Sequence, residues 1–121
     1  TIVSFGSQTI RAAEAAMQLA KDGISAEVID LRTVLPLDIE TIAASVKKTN
    51  RVLVTCEAPR TGSFGTTIVT EIVRASFSDL DAPVQLVAAA NTPVPFATEL
   101  EDAHLPTTAK VVAAARALLK Y

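Results

Sequence analysis

Four short runs of strand-forming residues recur along the 121 residues, and each interval between them has room for a helix. The runs are Thr1–Phe5, Ala26–Leu31, Val52–Cys56 and Val84–Ala88. Strands that alternate with helical stretches predict a parallel sheet between two helical layers, joined by right-handed crossovers. The sharpest joint is Asp30-Leu31-Arg32-Thr33-Val34-Leu35-Pro36-Leu37-Asp38. A strand enters it, a proline turn follows, and Asp38 stands where it can cap a helix starting at Ile39. Such β-turn-α joints are where ligands and partners of parallel α/β sheets tend to lie.

The intervals support this reading. Between Gln8 and Asp22, Ile10, Ala13, Met17 and Ala20 recur at helical spacing; Ser7 can cap the start and Gly23 ends the helix. The next helix, from Ile39 to about Lys48, is expected to bury Ile39, Ile42, Ala43 and Val46, with Lys47 and Lys48 in its last turn, where cations suit the helix dipole. A third helix runs from about Phe64 to Phe77, with Ile68, Ile72 and Ala75 inward. Ala89 to Pro106 reads as a long irregular stretch, with room for a short extra strand. A last helix, about Thr107 to Lys120, is expected to bury Val111, Val112, Ala115, Leu118 and Leu119.

Composition narrows the function classes. Half of the residues are hydrophobic, mostly Ala, Val, Ile and Leu, as suits a sheet covered on both faces. The formal net charge is −2, and there is no basic stripe interleaved with aromatics, so nucleic acid is not an expected partner. No apolar run reaches membrane-spanning length, so no membrane partner is expected. A lone cysteine, Cys56, excludes an intramolecular disulfide. The sequence starts at Thr1 and runs straight into a strand, which reads as a piece of a longer protein.

No residue set amounts to an active site. Gly62-Ser63-Phe64-Gly65 precedes a helix but lacks the P-loop lysine and the dinucleotide glycine spacing, and reads as a structural turn. His104, the only histidine, reads as solvated or packed in a loop, and Cys56 as buried and inert. Glu101 and Asp102 are adjacent and would point apart. Asp30, Arg32, Glu57 and Arg60 follow the carboxyl ends of strands, where they can form one polar rim facing another domain or subunit. Asp79 and Asp81 flank Leu80 in an exposed turn.

Glu27-Val28-Ile29-Asp30-Leu31-Arg32-Thr33-Val34-Leu35-Pro36-Leu37-Asp38 resembles the signature of the C-terminal domain of the β subunit of thiamine-diphosphate-dependent 2-oxo acid dehydrogenases. Further similar segments follow in the family's order: Ser45–Thr49, Glu57–Gly62 with Phe64-Gly65, Leu80-Asp81-Ala82-Pro83, Thr92–Ala97, and Leu105-Pro106. The resemblance implies the transketolase C-terminal fold: three α/β/α layers around a mostly parallel sheet of about five strands, one of them antiparallel, in a single domain over residues 1–121.

It also implies an activity carried by the whole enzyme. An α₂β₂ heterotetramer uses thiamine diphosphate and Mg²⁺ to decarboxylate a 2-oxo acid, then acylates the lipoyl group of a dihydrolipoyl acyltransferase. The cofactor is held by the α subunit and the preceding domain of β, so no catalytic, cofactor or metal residue is assigned here and the domain alone is expected to be inactive. Its implied role is assembly and docking. Arg32, Glu57 and Arg60 map to the surface toward other domains and the second β subunit. Asp81 and the terminal carboxylate of Tyr121, where the chain ends there, map to the surface that meets the basic peripheral subunit-binding domain of the acyltransferase. The Glu57–Gly62 loop, Thr92-Pro93 and Tyr121 look most like branched-chain enzymes; pyruvate and acetoin enzymes share most of the frame. Bacterial cytoplasm and mitochondrial matrix are the implied compartments. Two other readings compete: the C-terminal domain of a transketolase or deoxyxylulose-phosphate synthase, and a free-standing small-ligand-binding α/β domain using the strand-end rim.

Overall fold

Alternation within the strands sets the layers. In the computed structural model, which describes residues 1–121, β1 is Ile2–Ser4, β2 Val28–Asp30, β3 Leu53–Pro59 and β4 Gln85–Ala89. All are parallel, in the order β2-β1-β3-β4. Successive side chains on a strand point to opposite faces. Ile2 and Leu53 thus pack on one side with Ala12, Leu19, Val111 and Leu118, while Val3, Val52 and Val54 pack on the other with Ile42, Val46, Ile68 and Ile72. Helices α1 (Gln8–Lys21) and α5 (Thr108–Leu118) cover the first face; α2 (Ile39–Thr49) and α3 (Phe64–Ser76) cover the second. This is the expected three-layer α/β/α architecture.

The sheet has four strands rather than about five, and none is antiparallel. Residues 89–106 form no extra strand; they fold instead into a short helix, α4 (Thr98–His104). Pro93 and Pro95 lack the N–H groups that a ladder needs, while Glu99 and Glu101 in the first turn suit a helix N-terminus.

Several local expectations hold. Asp38 caps α2: its carboxylate accepts from the Thr41 N–H at 3.0 Å and the Thr41 hydroxyl at 2.6 Å. Gly23 closes α1 with φ +77°. Thr107, not singled out as a cap in the sequence, accepts from the Lys110 N–H at the start of α5. Others are corrected. The stripe Ile10, Ala13, Met17 and Ala20 faces away from the sheet; Ile10 is 64% exposed and Met17 63%. Gln8, Ala12, Ala15 and Leu19 are the buried face of α1. In α3 the inner face ends at Ser76, leaving Ala75 exposed, and Leu119 is exposed beyond the end of α5. Ser7 makes no side-chain cap.

Candidate functional site

In a parallel sheet every strand ends at the same edge, so the fold has two poles. The strand-end pole carries the loops after β1, β2, β3 and β4. The opposite pole carries the strand starts and the last turns of α1, α2, α3 and α5. Arg51, two residues before β3, and Glu57, near its far end, lie about 20 Å apart at a strand rise of ~3.3 Å per residue.

At the strand-end pole, Glu57 reaches across to the start of α1, where its Oε1 accepts from the Ser7 N–H at 2.8 Å. The Ser7 hydroxyl caps nothing: the Thr9 and Ile10 N–H groups turn to the Gly6 and Ser7 carbonyls, and the Glu57 carboxylate satisfies the Ser7 N–H just ahead of the helix, where negative charge suits the helix dipole. The approach depends on Gly6, whose φ is +62°; a Cβ there would lie 2.9 Å from Glu57 Oε1. On the neighbouring strand, Arg32 donates to Asp30 at 2.6 Å and the Thr9 hydroxyl donates to the same carboxylate at 2.9 Å. Those two bonds, Arg32 first, hold the Asp30 carboxyl below its ordinary range. Arg60 lies on the other side of β3 and donates to the Leu86 carbonyl at 3.3 Å. Arg32, Glu57 and Arg60 therefore share an edge, as the sequence suggested, but each is engaged with its own neighbour and no direct contact joins the three.

This pole offers little for chemistry. A cleft of about 330 Å³ opens between the start of α1 and the α4–α5 connection, lined by Ser7, Gln8, Arg11, Asp102 and Thr107 among others. Gln8 is occupied: it accepts from Thr55 and donates to the Pro106 carbonyl. Arg11 is paired with Glu14. Burial pushes the Cys56 thiol up, and Gly65 packs so close that a Cβ there would lie 2.6 Å from the sulfur. His104 is buried; its Nδ1 meets the Thr92 hydroxyl and its Nε2 has no partner. The Gly62–Gly65 turn thus serves packing. No three His, Cys, Asp or Glu side chains converge to hold a metal ion.

The opposite pole is built around Asn50-Arg51, between α2 and β3. Asn50 ends α2 in the left-handed region, φ 56°, which asparagine tolerates better than most residues. It then clips the acidic turn: its side-chain amide donates to the Asp79 carbonyl at 2.8 Å, and its own carbonyl accepts from the Asp81 N–H at 2.9 Å. Arg51 joins two elements. Its Nη1 donates to Asp81 at 3.5 Å, and its Nε to the Leu118 carbonyl, three residues before Tyr121, at 3.1 Å. The structure thus brings the Asp81 turn and the end of α5 together through one guanidinium. Sequence reading named Asp81 and Tyr121 but missed Asn50 and Arg51. Their only signal was a polar pair directly before an almost wholly apolar run, Val52–Cys56.

The sequence matches the family described as the transketolase C-terminal domain over residues 1–111. The chain belongs to that family. Among solved structures it is similar to a split-gene transketolase, described as an inactive β4 tetramer, with a TM-score of 0.79 and 28% identity over 98% of this chain and 37% of that one. Curated relatives are more similar in sequence. The β subunit of the acetoin:2,6-dichlorophenolindophenol oxidoreductase of Cupriavidus necator is 42% identical over 120 residues, 99% of this chain and 36% of the relative. The pyruvate dehydrogenase E1 component β subunit of Staphylococcus epidermidis is 41% identical over 121 residues, 100% of this chain and 37% of the relative. Its counterpart from Rhizobium meliloti is 42% identical over 118 residues, 98% of this chain and 26% of the relative. This transketolase C-terminal domain therefore spans only about a quarter to just over a third of the curated relatives it matches. No helix in it is long and apolar enough to cross a membrane.

Proposed function

We propose that this chain is the assembly and docking domain of the β subunit of a thiamine-diphosphate-dependent 2-oxo acid dehydrogenase. The parent enzyme would decarboxylate pyruvate or a related 2-oxo acid and pass the acyl group to a lipoyl carrier. The relatives named above are pyruvate and acetoin enzymes, so the proposal follows them rather than the branched-chain likeness of the loop motifs. Their identity over the whole chain, above 40% against 28% for the transketolase, favours this reading over a transketolase. They are bacterial, which favours the bacterial cytoplasm over a mitochondrial matrix.

The residues present do not fit a diphosphate–magnesium site. No three acids or histidines converge, and several carboxylates are already engaged, Glu57 with the Ser7 N–H, Asp30 with Arg32, Asp38 with Thr41 and Glu27 with Lys48. Thiamine diphosphate and Mg²⁺ in the parent enzyme would lie outside this domain. The strand-end pole, with Arg32, Glu57 and Arg60 among the exposed apolar residues Leu35, Val94 and Phe96, suits the surface toward the α subunit and the second β subunit of an α₂β₂ assembly.

The observation that carries the docking role is the Arg51 bridge, because it supports Asp81 and the end of α5 acting as one acidic site. Asp81 is exposed, and its single contact to Arg51 is long; such a surface pair is worth roughly 0–1 kcal/mol. Desolvated against a cation of a partner, the same carboxylate is worth far more, and truncation there costs about 2–5 kcal/mol. The partner is the basic peripheral subunit-binding domain of a dihydrolipoyl acyltransferase, with the Tyr121 carboxylate joining Asp81 where the chain ends there. Calorimetric titration of that domain into the full-length assembled enzyme tests this. Binding that weakens with salt and is lost in Asp81→Ala is expected. Wild-type binding left unchanged by Asp81→Ala would refute the role of this turn.

A further inference from the structure

Beside Asp81 the surface is apolar. The end of α3, the 3₁₀ turn Phe77–Asp79 and the start of β4 enclose an open groove of about 480 Å³. Val73, Phe77, Leu80, Pro83 and Val84 line it, and Asp81 stands on its rim. Phe77 is 77% exposed although it is one of only four phenylalanines in the chain. Large aromatic side chains are enriched where interfaces concentrate their binding energy, and an exposed one beside a carboxylate matches a partner that is apolar and cationic at adjacent positions.

We propose that this groove takes an aliphatic side chain of a basic partner segment, placed next to the lysine or arginine that meets Asp81. The inference rests on the docking reading of Asp81 and adds a second, apolar half to a site otherwise described by charge alone.

Charge complementarity favours a basic occupant. Asp79 and Asp81 belong to the turn that borders the groove. Of the nearby cations, Arg51 is held by the Leu118 carbonyl and Asp81, and Arg74 points to Glu71. A partner that brings its own cation restores the balance, whereas an acidic or neutral one does not.

The turn is also held ready. Its backbone is fixed by both bonds to Asn50, and Ala82, next to Asp81, is buried in the core. The docking surface would therefore lose little freedom on binding, and the gain from covering the Phe77 ring would appear as affinity.

The two halves of such a site have different thermodynamic signatures. Charge neutralisation is screened by salt; burial of apolar surface lowers the heat capacity of the complex. The test uses the full-length assembled enzyme, titrated at several temperatures and salt concentrations with the peripheral subunit-binding domain, for wild type, Phe77→Ala, Phe77→Leu and Asp81→Ala. Phe77→Ala should weaken binding by about tenfold or more, with a less negative heat-capacity change and an unaltered salt slope. Phe77→Leu should recover most of the affinity. Asp81→Ala should flatten the salt slope. Affinity unchanged in Phe77→Ala, with Asp81→Ala still defective, would overturn the groove and leave the docking reading standing. Absence of wild-type binding would overturn both.

Discussion

Single carboxylates do much of the local work in this domain, and pH should expose it. Asp38 caps α2 through Thr41, and Asp30 holds Arg32 and Thr9. Glu27 holds Lys48 and Ser45, and Glu14 accepts from the Thr108 hydroxyl. These bonds lower all four carboxyls relative to their ordinary values, Thr41 acting first at Asp38, Arg32 at Asp30, Lys48 at Glu27 and Thr108 at Glu14. A carboxyl lowered in the folded state adds stability that is present above its unfolded pKa and lost as pH falls through the folded one. Through these four groups, stability to urea should therefore decline below about pH 4, the ordinary carboxylate range. Asp38→Ala should be less stable at pH 7 and lose less on acidification than wild type. An identical acid profile for the variant would show that the cap contributes nothing.

Helix α1 shows how a small-residue helix hides its orientation. Alanines stand on both of its faces, and the larger apolar residues divide between them: Leu19 inward, Ile10 and Met17 outward. Packing against α5 and the sheet, with Arg116 paired to Asp22 and Thr108 bonded to Glu14, selects the face of Gln8, Ala12, Ala15 and Leu19. Ala12 and Ala15 let the helix lie close to its neighbours and Gln8 is held by Thr55 and the Pro106 carbonyl, so contacts outside the helix choose between two faces of similar pattern. Leu19→Ala should cost about 2–5 kcal/mol in equilibrium unfolding, as truncation in a filled core does. Met17→Ala should fall within about 0.5 kcal/mol of wild type. The reverse order would mean that the outward stripe carries the packing.

Across the whole molecule, parallel topology separates the two surfaces proposed for partners. Arg32, Glu57 and Arg60 lie at the strand-end edge, and Asp81, Phe77 and the end of α5 at the strand-start edge. Sites this far apart, with no shared partner, should act independently. In the full-length protein, Arg60→Ala combined with Phe96→Ala should weaken oligomer assembly, read by sedimentation, without changing the affinity for the peripheral subunit-binding domain. Asp81→Ala should do the opposite. Cross-effects of more than about 0.5 kcal/mol in either direction would mean that the poles communicate through the sheet.

The sequence by itself determined the layering and the family. Alternating strand and helix periods admit few arrangements other than a parallel sheet between helices, and ordered motifs such as Glu27–Asp38 carry the resemblance. Asp38 and Gly23 were also legible, because capping and helix termination act over a few residues. Tertiary structure alone decided the rest. The expected fifth strand depends on a free sheet edge and a usable ladder, and residues 89–106 spend their backbone on a helix and proline turns instead. The face of α1 depends on what covers it. Glu57 meets the Ser7 N–H because β3 delivers a carboxylate to a helix start fifty residues earlier in the chain. Arg51 joins Asp81 to Leu118 across separations of thirty and sixty-seven residues. Such contacts leave no periodic trace in a sequence, since the fold sets the distance between them and chain spacing does not.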